Sequence, residues 1–480
     1  MGNELIQNPA WRMAELVREK EVSPVELAEA HFEAIEQLNP VLNAFVDLRR
    51  DAAWDEALAV ETKIRAGEDA GPLCGVQISI KSCIDVAGMK CEAGSKLRAG
   101  NVPKRDAVLV RRLKRAGAIV LGVTNTPEFL MAYETDNLLY GRTSNPWNVE
   151  YSAGGSSGGE SAAIAACISA AGVGSDGGGS IRVPAHFTGI CGLKPTPGVI
   201  PSSGHFPVGV GPFALTGQVG PMARSARDLR LLLDMMRGAD IGDPMAGPYV
   251  LEEPTDLTHL KIGYFDSDDI HAVTPETKQA VQAAAKALAD QRYLVEPFRP
   301  DGLERVRELW YKIFCRFSGL AFGPMLHGHE NELHFLMRDL LRLQSREKTL
   351  AAEEVLFTQF ERDTVRENII RQMESHSILI MPVSSAPAFR HGQMGWTHDE
   401  RPETFVDTMV YSQWFNLLGF PAAVVPVGKS PEGLPIGVQI VGRPFEEYSV
   451  CTIAESLEKV FSWKAPPILD VGNQHQVTQK

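Results

Sequence analysis

The sequence has little positive charge, no long apolar run and no paired cysteines. Its 47 lysines and arginines stand against 60 acidic residues, a formal net charge of −13, and this balance disfavours a nucleic-acid partner, which needs a basic surface. No apolar run approaches the roughly 18 residues of a membrane span. The N-terminal segment MGNELIQNPAWRM lacks the apolar core of a secretion signal. We therefore expect a cytoplasmic protein with neither a transmembrane segment nor a nucleic-acid partner.

The seven cysteines are scattered and show no C-x-x-C spacing. This pattern predicts neither a zinc site nor a disulfide framework, and it fits a reducing compartment. Three histidines cluster at His327, His329 and His334, but the sequence has no matching second group of ligands. We expect these histidines to be solvated or packed, and we predict no metal and no cofactor.

What the sequence does contain is the pattern of a large α/β protein. The 44% hydrophobic and 22% charged residues are typical of a soluble globular chain. Helical periodicity and the capping box SPVE predict N-terminal helices. The predicted strands GVQISIK and AIVLGVT flank a helix over residues 107–116, and this β–α–β pattern indicates a covered sheet. The predicted fold class is α/β, with a large mixed, mostly parallel central sheet covered by helices on both faces.

No repeat, low-complexity tract or clean linker divides the chain, so we predict one domain over residues 1–480. Within it we expect N-terminal helices over residues 1–65 and a motif-rich core over residues 66–230. A helix-rich region on the substrate side follows over residues 300–400, and closing strands with a helix occupy residues 401–480.

The stretch GVGSDGGGSIRVPAHFTGICGLKPTPG is rich in glycine and proline. Gly172, Gly174 and Gly177 match G-x-G-x-x-G, the dinucleotide fingerprint, which must follow a strand and open a helix. Here a small-residue helix is predicted before the motif, and the proline of SIRVP disfavours a helix after it, so we do not expect a nucleotide site. The alternative is that glycine amides face a developing negative charge, as in an oxyanion hole, with Ser180 as the nucleophile.

Two further elements favour nucleophilic catalysis: Lys81 at the end of a strand, and the serine-glycine loop AGGSSGGES that begins at Ala153. A serine becomes a strong nucleophile only when a base removes its proton. An unperturbed lysine, with a pKa of about 10.4, is neutral only about once in 2,500 molecules at pH 7, but burial lowers that pKa. The alternatives are an exposed or ion-paired lysine and a flexible or anion-binding loop.

The same loop matches G-x-S-x-G twice, the pattern of the nucleophile elbow in α/β-hydrolases. This alternative makes Ser156 or Ser157 the nucleophile of an esterase, with a later acid and either His391 or His398 completing the triad. The elbow requires a strand directly before the serine. Because NPWNVEYSAGG has an Asn-Pro break and polar residues at that place, we do not favour the esterase.

Taken together, GGSSGGESA, the glycine-rich stretch after it and the lysine of ISIKSCIDV closely resemble the amidase signature family of serine hydrolases. The similarity is dense over residues 65–230 and continues more loosely through FNLLGFPAAVVPVG and GLPIGVQIVGRPFEE. The resemblance implies the amidase-signature fold and a Ser-cisSer-Lys triad. Ser180 is then the nucleophile, Ser156 the bridging residue after a cis peptide bond, and Lys81 the base.

The resemblance also implies an oxyanion hole built from backbone amides. Its expected donors are the backbone amides of Gly177, Gly178, Gly179 and Ser180. Ser157 is expected to support Ser156 by hydrogen bonding, and Asp176 and Arg182 are expected to pair and brace the glycines. The family commonly has isoleucine or threonine where this chain has Gly177, so the donor geometry is the point at which the chain departs from the family pattern.

For the substrate, the resemblance implies a small-molecule amide with an apolar or aromatic acyl or amine group, because GVIPSSGHFP and GQVGPMARSARDL resemble bacterial amidases similar to fatty-acid amide hydrolases. Leu130, Met131 and Tyr133 match positions that face the acyl chain in that subgroup. One alternative is the amidase component of a tRNA-dependent amidotransferase, whose pattern differs from NTPEFLMAYETDN. Another is a binding protein without turnover. A homodimer is a further expectation from the family.

Overall fold

The computed structural model describes residues 2–209, 211–254, 260–346, 351–393, 395–398, 401–404 and 406–470. The helices are α1 (Gly2–Leu5), α2 (Ala10–Arg18), α3 (Pro24–Leu42), α4 (Arg50–Ala66), α5 (Val108–Arg115), α6 (Gly158–Ala165), α7 (Arg182–Thr188), α8 (Pro212–Thr216), α9 (Ala226–Met236), α10 (Pro275–Asp290), α11 (Val306–Trp310), α12 (Phe317–Leu326), α13 (Phe335–Arg346), α14 (Ala352–Gln372), α15 (Val410–Leu417) and α16 (Glu447–Glu458). The strands are β1 (Phe45–Leu48), β2 (Gln77–Lys81), β3 (Ile119–Thr124), β4 (Ser144–Asn145), β5 (Asn148–Ser152), β6 (Ala171–Asp176), β7 (Cys191–Lys194), β8 (Gln218–Ala223), β9 (Lys261–Tyr264), β10 (Leu294–Pro297), β11 (Ile378–Pro382), β12 (Gly395–His398), β13 (Arg401–Thr404), β14 (Ala422–Lys429) and β15 (Pro435–Gly442).

Eleven strands form one mixed sheet in the order β1-β3-β2-β6-β8-β7-β14-β15-β11-β9-β10. Pairing is parallel within two groups, β3-β2-β6 and β11-β9-β10, and antiparallel between the other neighbours. The predicted large mixed sheet is confirmed. It places the carboxyl ends of the parallel neighbours β2 and β6 at the same edge, so Lys81 and Asp176 end adjacent strands.

Helices cover both faces of this sheet, as predicted. Alternate residues of a strand point to opposite faces. In β3, Val120 belongs to a core cluster with residues of α5 and α9, whereas Ile119 and Leu121 belong to a cluster with residues of α3, α4 and α6. A strand buried on both faces is typical of a sheet between two helical layers. Within the described residues, no helix combines the length and the apolar character needed to cross a membrane.

The glycine-rich stretch differs from its prediction, because the strand β6 precedes the triple glycine and the helix α7 follows it. Large neighbours explain the strand glycines: a Cβ at Gly172 would lie 1.6 Å from Glu160 Oε1, and one at Gly174 would lie 2.8 Å from Ser157 Oγ. The proline that was expected to prevent a helix lies in the first turn of α7, where its missing N–H is tolerated. Two of the fingerprint glycines are thus strand residues rather than members of a phosphate-binding turn.

Candidate active site

Lys81 ends β2 and is fully buried. Its Nζ donates to Ser156 Oγ over 2.6 Å and to Ser175 Oγ over 3.1 Å. Burial lowers the pKa of Lys81 to about 8, although nearby negative charges oppose that shift. With that pKa, roughly one lysine in ten is neutral at pH 7. The structure therefore buries Lys81 as a base would require.

Ser156 lies in the loop between β5 and α6, and the Gly155–Ser156 peptide bond is cis. The glycines before it make close backbone packing feasible. A Cβ at Gly155 would lie 2.5 Å from the carbonyl oxygen of Ala132. Thr126 Oγ1 donates to the Ser156 carbonyl over 2.8 Å, so Ser156 is held by both its hydroxyl and its main chain.

Ser180 follows the triple glycine and is almost fully buried. Its carbonyl accepts from the Ser157 N–H over 3.2 Å, which joins the glycine-rich stretch to the serine-glycine loop. Ser180 and Ser156 line the same small cavity. Across the described residues, no hydrogen bond joins their two hydroxyls; such catalytic contacts are often long before substrate binds.

Asp176 and Arg182 form a fully buried ion pair with an N–O distance of 2.9 Å. Burial alone would raise the pKa of the Asp176 carboxyl, but the Arg182 guanidinium and its hydrogen bonds hold that pKa well below its usual range. Arg182 also donates to Asn416 Oδ1 and Gln439 Oε1. The predicted pairing is present, and these distant residues complete it.

The amide of Gly179 is occupied: it donates to Asp176 Oδ1 over 2.7 Å. Its φ of +118° favours glycine, and an added Cβ would lie 2.7 Å from Ser412 Cβ. Gly179 is thus a turn residue and, contrary to prediction, not an oxyanion donor in this structure. Within the described part of the chain, the amides of Gly177, Gly178 and Ser180 have no hydrogen-bond partner, which leaves them available to a ligand.

Two aromatic side chains orient the peptide groups of the glycine run. Trp310 Nε1 donates to the Gly177 carbonyl over 2.9 Å, and the Tyr133 hydroxyl donates to the Gly178 carbonyl over 2.8 Å. Because a trans peptide is planar, with its C=O and N–H pointing in opposite directions, the Trp310 contact also directs the Gly178 N–H away from the indole. The Gly178 N–H is therefore held in a fixed direction by the contact of Trp310 with the same peptide group.

Phe314 occupies the space beside Gly177, where the chain departs from the family pattern. A Cβ at Gly177 would lie 2.4 Å from Phe314 Cε2. The Phe314 ring stacks on Trp310, with centroids 5.1 Å apart and an interplanar angle of 16°. The glycine therefore makes room for a ring against the nucleophile loop.

Two cavities meet at Ser180. The smaller cavity has a volume of about 60 Å³ and is also lined by Ser156 and Gly177. The larger cavity has a volume of about 440 Å³ and is also lined by Gly178. The predicted substrate-binding residues lie there: Leu130 and Met131 line both cavities, and Tyr133 lines the larger one.

Ser157 does not contact Ser156 in the predicted way. Its hydroxyl lies 3.3 Å from both the N–H and the carbonyl of Ser175, because Gly174 leaves room for it against β6. Ser175 in turn contacts Lys81, a role that sequence reasoning missed although the residue directly precedes Asp176 in the motif. Ser157 thus contacts the main chain of Ser175, whose hydroxyl accepts from Lys81.

Trp310 and Phe314 were also missed as site residues. The sequence signal for both residues is the aromatic-rich segment LWYKIFCRFSGLAFG, which lies in the helix-rich region predicted over residues 300–400. Cys83 and His205 were missed too: Cys83 Sγ lies 3.4 Å from His205 Nε2 and 3.7 Å from Ser175 Oγ. His205 lines the smaller cavity.

The esterase alternative is not supported at His391, the one of its two candidate histidines whose side chain the structure describes. A strand, β5, does precede the serine loop, contrary to expectation, but it pairs with β4 in a separate hairpin rather than with the central sheet. His391 lies 2.6 Å from Glu134 Oε1 rather than beside Ser156, and the side chain of His398 lies outside the described part. Ser156 instead contacts a lysine.

The candidate metal ligands do not form a common site. Within the described residues, no group of three or more histidine, cysteine, aspartate or glutamate side chains has the geometry to bind a metal ion. His329 Nδ1 lies 2.8 Å from Glu332 Oε1, and His334 Nε2 lies 3.7 Å from Asp136 Oδ2. The chemistry that this site supports comes from serine, lysine and main-chain amides.

Comparisons with known proteins find relatives along almost the whole chain. The family model "Amidase" matches residues 26–451. The chain is 31% identical to a glutamyl-tRNA(Gln) amidotransferase subunit from Carboxydothermus hydrogenoformans, over 95% of this chain and 98% of that protein. It is also 31% identical to human fatty-acid amide hydrolase 2, over 95% of this chain and 89% of that protein. The solved structure of a 6-aminohexanoate cyclic dimer hydrolase with its substrate superposes with a TM-score of 0.84 at 28% identity, covering 97% of this chain and all of that one.

Proposed function

The chain belongs to the amidase family, and we propose that it hydrolyses carboxylic amides with an apolar or aromatic acyl group through an acyl-enzyme on Ser180. Amide hydrolysis itself follows from the family. The observation that supports this particular mechanism is the 2.6 Å hydrogen bond between buried Lys81 and Ser156, in a cavity that also contains Ser180.

In the proposed reaction, neutral Lys81 takes the proton of Ser156 while Ser156 takes the proton of Ser180. Ser180 Oγ then attacks the amide carbonyl carbon and forms a tetrahedral intermediate. The protonated lysine that results is stabilised by the Ser175 hydroxyl and by the Ser175 carbonyl 3.4 Å away. No histidine is needed for this transfer.

The oxyanion of the intermediate would be bound by the available amides of Gly177, Gly178 and Ser180. Each such donor contributes about 3 kcal/mol when it is aimed in advance at the developing charge. The Asp176–Arg182 pair supports this by holding the Gly179 turn, and Trp310 and Tyr133 support it by holding the loop carbonyls. When the intermediate collapses, Ser156 returns its proton to the leaving amine, and water then hydrolyses the acyl-enzyme.

The wall of the larger cavity supports the choice of acyl group. Trp310, Tyr311, Phe314 and Tyr133 all line it, and aromatic walls bind apolar and aromatic groups through large buried contact areas. Its 440 Å³ falls within the range of about 300–1,000 Å³ that is usual for sites of drug-sized ligands.

A second candidate function is a role within a glutamyl-tRNA(Gln) amidotransferase, because similarity to one component of that enzyme extends over 95% of this chain. The two candidates differ in what the purified chain does alone. We expect it to hydrolyse apolar amides without added proteins or tRNA. Activity that appears only with further protein components and glutamyl-tRNA(Gln) would favour the second candidate.

The test of the proposed mechanism is labelling with a fluorophosphonate probe, combined with hydrolysis of phenylacetamide. Labelling and turnover should both be lost in Ser180→Ala, and turnover should be lost in Lys81→Ala. Ser456→Ala is the matched control, because Ser456 is a buried serine on α16 bonded to Tyr293 and Thr452, away from both cavities. Full turnover in Ser180→Ala, or labelling of a different serine, would refute the assignment.

A further inference from the structure

The two cavities that meet at Ser180 differ in their other lining residues. Ser156 lines the smaller cavity and is absent from the wall of the larger one, whereas Gly178 lines the larger one alone. An amide bound with its carbonyl carbon at Ser180 therefore extends its acyl group and its amine into different spaces.

The direction of proton transfer decides which group occupies which space. In the proposed reaction the bond from carbonyl carbon to nitrogen breaks, the electron pair of that bond stays with nitrogen, and nitrogen receives the proton from Ser156 Oγ. A general acid must lie within hydrogen-bond reach of the atom that it protonates. The amine nitrogen therefore lies on the side of Ser156, in the smaller cavity, and the acyl group extends into the larger one.

Phe314, like Leu130 and Met131, lies at the boundary between these spaces. It lines both cavities, and it lies against Gly177, where any side chain would collide with its ring. Stacking on Trp310, which is itself fixed by its bond to the Gly177 carbonyl, holds the ring in place. A ring held on one side by an indole and on the other by bare backbone acts as a wall rather than as a movable gate.

We propose that Phe314 divides the active site into an acyl compartment and a leaving-amine compartment, and that it restricts the leaving group to ammonia or a small alkylamine. This inference rests on the proposed function and adds the substrate class to it: primary amides or small N-alkyl amides of bulky apolar or aromatic acids. Gly177 contributes to this division, because a side chain at that position would collide with the Phe314 ring.

The volumes agree with this assignment. The smaller cavity has a volume of about 60 Å³, and a cavity needs only about 10–15 Å³ to hold one water-sized group. Ammonia and methylamine therefore fit beside Ser156, and we expect an amine with a phenyl ring to fit there much less well. The larger cavity, at about 440 Å³, accommodates an arylacetyl group with room to spare.

The experiment compares kcat/KM for N-methylphenylacetamide and N-benzylphenylacetamide, which share an acyl group and release alkylamines of comparable basicity. We expect the unmodified enzyme to prefer the N-methyl amide by at least about tenfold, the scale on which a pocket rejects excess apolar volume. Phe314→Ala should narrow that ratio by about tenfold, because removal of the ring joins the two spaces. Val406→Ala is the control: Val406 lines the larger cavity alone, so the amine ratio should stay unchanged.

The outcomes separate this inference from the proposed function. Equal or faster turnover of the N-benzyl amide by the unmodified enzyme would overturn the inference, even if Phe314→Ala failed to fold. An unchanged ratio in a folded Phe314→Ala would overturn it as well. If instead neither amide nor phenylacetamide were hydrolysed and the fluorophosphonate did not label Ser180, the proposed function itself would be refuted.

Discussion

The pH dependence of amide hydrolysis is the most direct consequence of the buried lysine. In the proposed mechanism the active form is neutral Lys81, and burial lowers the pKa of Lys81 to about 8. The neutral fraction is about 1% at pH 6 and about one half at pH 8, so kcat/KM should rise about 50-fold over that interval and level off above it. The rise is towards high pH because the base must lose its proton before it can act.

Glu160, a neighbour of Lys81, provides a second variant for the same pH experiment. Burial raises the pKa of Glu160 to about 7, and its negative charge raises the pKa of Lys81. Removing that charge with Glu160→Gln should therefore move the midpoint of the profile to lower pH. Thr124 Oγ1, which donates to Glu160 over 2.6 Å, can still donate to the carbonyl oxygen of the glutamine.

The assay is a pH profile of kcat/KM with phenylacetamide, which has no titrating group in this range, at constant ionic strength and with stability checked at each pH. A flat profile between pH 6 and pH 8, or one that falls as pH rises, would refute the assignment of Lys81 as the base. A midpoint that moves to higher pH in Glu160→Gln would show that the carboxyl does not act on Lys81 through its charge.

Three further predictions concern stability and packing. Asp176→Asn leaves the buried Arg182 charge without its counter-charge, so urea unfolding should show a loss of about 3–5 kcal/mol. Gly177→Ala places a methyl group against Phe314 and should lower the free energy of unfolding by about 1–3 kcal/mol. In a protein that already carries Phe314→Ala, the same change should cost much less, and an equal cost in both backgrounds would contradict the contact. Burial of charged Lys81 destabilises the folded protein by about 3 kcal/mol at neutral pH. Between the pKa values of Lys81 in the folded and the unfolded protein, the unfolded chain keeps a proton on this lysine that the folded chain has lost. The wild-type protein should therefore gain stability relative to Lys81→Met as pH rises from about 8 to about 10.5, and a difference independent of pH would contradict the lowered pKa.

The proposed triad could be named from the sequence because each of its residues lies in a short segment that resembles a known family. Lys81 ends an alternating strand, and Ser156 and Ser180 lie in two glycine-rich segments whose resemblance to a known family implied their roles. The strand β6 was missed since glycine disfavours strands. Its glycines are explained by close neighbours in the folded chain, among them Glu160 and Ser157.

Contacts between distant segments could not be predicted in this way. Nothing near Gly177 in the sequence indicates that Phe314 fills the space beside it, or that Trp310, 133 residues further on, donates to its carbonyl. The error at Gly179 is local instead: the family resemblance implies an amide donor there, and only the folded structure shows that this amide donates to the Asp176 carboxylate three residues earlier.

The contacts of Arg182 have a consequence for the order in which the enzyme becomes active during synthesis. Its partners Asn416 and Gln439 follow it by 234 and 257 residues, so they emerge from the ribosome long after the nucleophile. Until then the guanidinium that fixes Asp176, and through it the Gly179 turn, lacks two of its three side-chain contacts. A nascent chain that already contains Lys81, Ser156 and Ser180 therefore has the proposed triad before it has the contacts that support it, and we expect hydrolysis to start only when the last strands of the sheet are in place.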